Sequence, residues 1–420
     1  MLFTKIEKLR KLGKNYWKFW FASAVSMAAS NILQFILSLY ILEITGSATA
    51  FSLMLSIVFL PRLICTPVAG ILADKENRCR LMSLVLMGES AVLAVYSVVS
   101  GFCSMNVVWV FVLVLALEIG EVFYGACEGS IIPLLVDENK VKDAIAVSKV
   151  DDGIVYVLSP VVASFIYTNV SIQLAFVVVM LLDLSASILQ FTIQCEKAAL
   201  NEELKGHVRL GIVDEFKEGV KALFDNKKIE RLVMAMPFIN AFFGATFSVS
   251  ILYLIREVYH MSAYYYGMYN SITAMTSVIV PVVVVSLVSK NDPSRIFSVS
   301  TKLIAMEIAM IGVVVIMSIR GVVGVIPAFI MIIVLDCMTI AEAIPMQIAM
   351  SILVQTGVTK ELLGRTSSLI GMISMVAVAL GELLFGLLID SFAIYVSIFV
   401  GSAGVGIGTV VFSLYSRNNK

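Results

Sequence analysis

The sequence predicts an all-α membrane protein with twelve transmembrane helices in two pseudo-symmetric six-helix bundles. Three observations lead there. Of the 420 residues, 60% are hydrophobic and 14% charged, and the mean hydropathy is +0.97; a soluble domain carries about 25% charged and 45–50% apolar residues. Uncharged apolar runs recur from Phe19 to Leu414. Positive charge gathers on alternate linkers. This composition excludes a disordered chain, a nucleic-acid-binding protein and an ordinary soluble enzyme.

A helix crosses the hydrocarbon core, ~30 Å thick, with about 20 residues. Twelve segments qualify: 17–43, 48–72, 81–102, 107–133, 145–168, 172–194, 232–255, 264–289, 297–319, 322–350, 367–389 and 392–414. Basic residues precede the first run, as in a signal peptide. That run is too long for a signal-peptide core and leads directly into a second span, so an uncleaved first helix is expected. Twenty-seven of the thirty Lys and Arg residues fall on one side, Arg256 and Arg320 on the other, and Arg62 within a span. The positive-inside rule then puts both termini in the cytoplasm of a bacterial-type plasma membrane, which requires an even number of spans. Trp17 and Trp20 mark one interface; Trp109 and Tyr264–Tyr266 mark the other.

The one long polar stretch, 195–231, divides the chain into bundles 1–194 and 232–420. Its mixed charges and the spacing of Phe216, Val220 and Leu223 predict an amphipathic cytoplasmic linker helix. The six cysteines are scattered without a CxxC pair, and the only histidines are His207 and His260. Neither a disulfide framework nor a structural metal site is expected.

The loop after span two reads Gly70-Ile71-Leu72-Ala73-Asp74-Lys75-Glu76-Asn77-Arg78-Cys79-Arg80. Gly70 permits close helix packing, Asp74 can cap the next helix or accept from a neighbouring helix end, and Arg78 can pair with acids across a gate. The loop resembles the G-x-L-A-D-R-x-G-R-R motif of the major facilitator superfamily. Asn77 stands at a usual glycine, where Asn also tolerates positive φ, and Cys79 replaces a basic residue. Thr45-Gly46-Ser47-Ala48, Leu60-Pro61-Arg62 and Gly364-Arg365 narrow the resemblance to the drug:proton antiporter branch, which holds macrolide efflux proteins and the enterobactin exporter. Span five carries Ser159-Pro160-Val161-Val162-Ala163-Ser164 where such antiporters have G-P-x-x-G-G. The small residues suit close packing and Pro160 suits a bend.

The halves echo each other: Glu89, Glu118 and Glu121 in spans three and four against Glu307, Asp336 and Glu342 in spans nine and ten. An ionised carboxylate at mid-membrane costs at least ~2.5–3.5 kcal/mol. Nine acids, these six with Glu128, Asp183 and Glu382, lie within predicted spans beside the single Arg62. At 1.5 Å rise per residue, Glu118 and Asp336 sit ~17 and ~21 Å along their spans. The resemblance implies that spans one, four, seven and ten line a central cavity. Glu118, Glu121, Asp336 and Glu342 are then the candidates for proton or cation handling, with Tyr124 extending the Glu118/Glu121 face. Fixed helix–helix hydrogen bonding is the alternative. Asn31 and Gln34 on span one are candidates for substrate or interhelical hydrogen bonds. Arg62 either pairs with an acid from span four or eleven or anchors an anionic substrate. Glu89 and Glu307 are assigned to packing. Gly70, Asp74, Arg78, Arg80, Asp151, Asp152 and Arg365 form a candidate cytoplasmic gate, in which Asp151 or Asp152 can pair with Arg78 or Arg80.

The resemblance implies a secondary transporter that exports hydrophobic or amphipathic, preferably cationic, small molecules by proton antiport and alternating access. It would use the proton gradient and no cofactor, act as a monomer among membrane lipids, and bind no nucleic acid. A siderophore exporter or lysophospholipid flippase is the alternative. A membrane-embedded sensor or enzyme is disfavoured: the chain has no HExxH, Walker loop or nucleophile elbow.

Overall fold

The computed structural model describes residues 12–102, 105–194, 227–288, 291–358 and 363–417. The expected linker helix lies outside these up to residue 226, as do the basic residues preceding Leu12. All regular structure among the described residues is helical, and twelve helices are long and apolar enough to span a membrane. They are α1 Lys14–Thr45; α2 Ala48–Ile57, continued after a break at Val58 by Phe59–Lys75; α3 Arg78–Phe102; α4 Val107–Leu135; α5 Val141–Asn169; and α6 Ile172–Phe191. The second six begin with α7, which runs Lys227–Ala245 and on through two π-helical stretches, Thr246–Ser250 and Leu254–Val258. Then follow α8 Ala263–Val288, α9 Pro293–Ile319, α10 Val325–Gly357, α11 Leu363–Ser391 and α12 Ile394–Arg417.

Short polar residues set the helix starts. Ser47 accepts from the Ala50 amide, Asn106 from Trp109 and Ser171 from Leu174, each satisfying a first-turn N–H. Asp292 caps α9, with Pro293 at the first position, where its missing N–H costs nothing. Gly46, at φ +60°, turns the chain between α1 and α2 in a conformation that disfavours a Cβ.

Two compact units emerge. Unit 1 comprises Met1–Thr45, Ile57–Lys205 and Ser262–Ser271; unit 2 comprises Gly46–Ser56, Gly206–Met261 and Ile272–Lys420. The first portion of α2 thus belongs with the second six helices, and the first portion of α8 with the first six. Within unit 1, α1 packs on α5 and α6, and α3 on α6 and α4. Unit 2 repeats the pattern: α7 packs on α11 and α12, and α9 on α12 and α10. Small residues allow the two exchanged segments to seat. A Cβ on Gly267 would lie 2.7 Å from the Pro160 carbonyl and the Ser164 side chain, so the small residues of α5 do serve close packing. A Cβ on Gly386 would likewise meet the α2 backbone at Thr49, 2.8 Å away.

Candidate functional site: carboxyl clusters within each unit

In unit 1 the break at Val58 starts a new helical piece, with Pro61 and Arg62 in its first turn. The Arg62 guanidinium pairs through Nε with Oε1 of Glu118 on α4. Its side chain remains 45% exposed while that of Glu118 is 10% exposed. Arg62 therefore neutralises one acid and leaves the others. Glu121, one turn further along α4, faces Glu89 of α3 and Asp183 of α6. Glu128 accepts from the Ser23 hydroxyl of α1. Tyr124, expected to extend the acidic face, is instead buried with Phe19, Ala22, Cys127 and Ile131, and its hydroxyl accepts from Gln190 at 3.2 Å. It is a core residue of unit 1. Asn31 on α1 is half-buried and its Nδ2 finds no protein acceptor; Gln34 is exposed.

In unit 2, neutral hydroxyls replace the arginine. Glu342 of α10 accepts from Ser300 of α9 at 3.0 Å. Glu382 of α11 accepts from Ser248 of α7 at 3.1 Å and from Ser56 at 3.5 Å. Asp336 is 3% exposed within α10. Glu307 of α9 is buried beside Thr339 and Glu342, with Oε2 lacking a donor.

The loop between α2 and α3 meets the expectation in part, Asp74 accepting from the first residue of α3. Asp74 pairs with Arg78 one turn on, at 3.1 Å, and caps nothing. Asn77 caps α3, its Oδ1 accepting from the Arg80 amide at 3.1 Å; its φ is not positive, so side-chain capping rather than left-handed backbone explains an asparagine here. A Cβ on Gly70 would meet no atom within 4 Å, so Gly70 mediates no close packing. Arg78 also donates to the Ala73 carbonyl at 3.1 Å and the Ser130 carbonyl at 2.9 Å, tying the ends of α2 and α4 together. The expected pairing of Arg78 or Arg80 with Asp151 or Asp152 does not form. Asp152 pairs with Lys149 on its own helix at 2.6 Å, because a partner one turn away on α5 is nearer than any across the loop. Asp151 is buried near Tyr16. Arg365 lies on α11, its side chain outside those described.

Several residues central to this geometry had no assigned role in the sequence: Asp183, Glu382, Ser248 and Gly120. Asp390 is another; at the end of α11 it accepts from the Ser47 hydroxyl and from the amides of Ala48 and Thr49, at 2.7–3.0 Å. The repeat signal in the sequence falls on other acids. Asp74, Glu89 and Glu118 recur as Asp292, Glu307 and Asp336 at a single offset of 218 positions. Register is therefore kept where most of the surrounding sequence has diverged.

Twelve membrane-spanning helices in twice-repeated packing, with buried acids in both repeats, define a polytopic membrane transporter. The chain belongs to the Major Facilitator Superfamily, whose pattern it matches over residues 19–382. Macrolide efflux protein A of Streptococcus pyogenes is 26% identical over 394 residues, covering 92% of each chain. Its namesake in Enterococcus faecalis is 25% identical over 189 residues, 45% of this chain and 57% of that one. Among solved structures, the nucleoside transporter NupG has a TM-score of 0.74 at 10% identity, covering 96% of this chain and 100% of that one. A bacterial homologue of the iron transporter ferroportin has a TM-score of 0.72 at 14% identity, covering 96% and 98%. At these identities the solved structures establish the shared fold alone. The family and its structural neighbours are transporters, not enzymes.

Proposed function

We propose that the chain is a plasma-membrane exporter of hydrophobic or amphipathic, preferably cationic, small molecules. It works by proton antiport and alternating access. The observation that carries this reading is the excess of buried and half-buried acids in unit 1, where Glu89, Glu118, Glu121 and Asp183 gather beside the Arg62–Glu118 pair. Acids in excess of fixed cations bind what is positive: a proton or a cationic solute. The macrolide efflux relatives, similar over 92% of the chain, support a drug as the solute.

In this reading, Glu121 in unit 1 and Asp336 and Glu342 in unit 2 load and unload protons, and Glu118 takes one only when Arg62 releases it. The Asp74–Arg78 loop braces the cytoplasmic ends of α2 and α4. Both termini are cytoplasmic, the gradient is the energy source, no cofactor takes part, and the carrier works as a monomer in lipid. Proteoliposome efflux under an imposed pH gradient tests this, with cationic, neutral and anionic amphiphiles including a macrolide. Acid-driven accumulation of the cationic probes is expected; equal transport without the gradient overturns antiport.

A second reading draws on the half-exposed Arg62 guanidinium. It can contact an anionic head group, as a siderophore exporter or lysophospholipid flippase requires. In a Glu118→Gln background, which leaves no charge for the change to strand, Arg62→Ala would then lose transport of anionic amphiphiles at unchanged folded yield.

A further inference from the structure

Four acids inside the two units spend an oxygen on a donor: Glu118 on Arg62, Glu128 on Ser23, Glu342 on Ser300 and Glu382 on Ser248. Glu89 of α3 does not. It is 8% exposed, and no protein group donates to its Oε1. The charged groups that face it are all acidic: Glu121 and Glu118 from α4 and Asp183 from α6, the two helices against which α3 packs. Arg62, the cation of this region, is already committed to Glu118.

Nor is the position accidental in shape. Gly120 lies under the Glu89 carboxyl, and a Cβ there would occupy the space the carboxyl fills. The chain thus leaves a notch in α4, between Glu118 and Glu121, for an acid without a donor. A packing acid needs none of this; it needs a partner. An unpaired buried charge is so costly that the group takes a proton instead.

Unit 2 repeats the arrangement in part, since Glu307 has the Thr339 hydroxyl beside it as well as the acid Glu342. Glu307 is 4% exposed with Oε2 undonated, on α9, which packs against α10 and α12 as α3 packs against α4 and α6. The spacing from Asp74 to Glu89 and from Asp292 to Glu307 is the same, 15 residues.

We propose that Glu89 is a proton-binding site in its own right, seated over Gly120 and sharing its proton's field with Glu121 and Asp183, with Glu307 as its counterpart in unit 2. Its role as a coupling site rests on the antiport reading; its occupancy by a proton does not. The site takes one H⁺ from hydronium, a carboxyl O–H forming as the hydronium O–H breaks, and returns it to water by the reverse exchange.

Infrared difference spectra of the full chain in lipid, titrated through neutral pH, read the carboxylic C=O band directly. A band is expected in the parent chain, lost in Glu89→Gln and restored at a shifted frequency in Glu89→Asp. Gly120→Ala, which crowds the carboxyl without removing it, should displace the band. In proteoliposomes Glu89→Gln should lose gradient-driven transport, while substrate counterflow, which needs no net proton movement, persists. A spectrum unchanged by Glu89→Gln overturns the site. Band loss with gradient-driven transport intact overturns the coupling role. Should the parent chain ignore the gradient, antiport fails as a reading, and the band still decides whether Glu89 binds a proton.

Discussion

Unit 1 holds Glu118 with an arginine; unit 2 holds Glu342 and Glu382 with serine hydroxyls. The two donors are not equivalent. A guanidinium only donates and never gives up its charge, so it fixes its partner as a carboxylate. A hydroxyl rotates, donating to a carboxylate or accepting from a carboxylic acid. Glu342 and Glu382 therefore keep a partner in either protonation state, whereas Glu118 keeps one only while ionised. What unit 1 gains by locking Glu118 it leaves open at Glu89, which faces acids alone.

The largest effect that tests this contrast comes from Arg62→Ala. It strands Glu118, and a loss of about 2 kcal/mol is expected, below the roughly 3–5 kcal/mol of fully buried pairs because Arg62 is 45% exposed. Thermal melting in lipid should show it, and adding Glu118→Gln should recover most of the loss; failure to recover would mean that Arg62 acts mainly through other contacts. Ser300→Ala in unit 2 removes one donor to Glu342 and should cost about 1 kcal/mol, with no rescue needed from a second site. Smaller still is Glu382→Gln. Ser248 and Ser56 can reorient to the amide, so the melting temperature should correspond to about 0.5 kcal/mol or less. A large loss there would break the comparison, because it would make Glu382 a fixed anion like Glu118.

The number and approximate limits of the spans were legible because lipid imposes them: a backbone without water must be helical, and its side chains apolar for about 20 residues. The family was legible from Asp74 to Arg80. Less legible was what depends on helix rotation. Tyr124 shares a helical face with Glu121 on paper, yet the turn of α4 sends it into the core with Phe19 and Cys127. The space that Gly120 leaves for the Glu89 side chain depends on how α3 and α4 are rotated. Asp152 lies near Arg78 in a topological sketch but finds Lys149 first. Such choices are made by a few ångströms of side-chain reach, which no hydropathy pattern records. Nor does composition mark the break at Val58, where one span becomes two helical pieces belonging to different units.

The two π-helical stretches of α7 carry a consequence for Glu382. Its donor Ser248 sits inside the first stretch, Thr246–Ser250. A π turn carries an extra residue relative to α winding, and such turns are metastable. Rewinding this one to α geometry would swing the following side chains around the helix axis by about 100° per residue absorbed. Ser248 would then leave its carboxyl without any rigid-body tilt of the helix. Backbone winding in α7 and the hydrogen-bond supply of an acid on α11 are thus geared together, so a change at either end registers at the other.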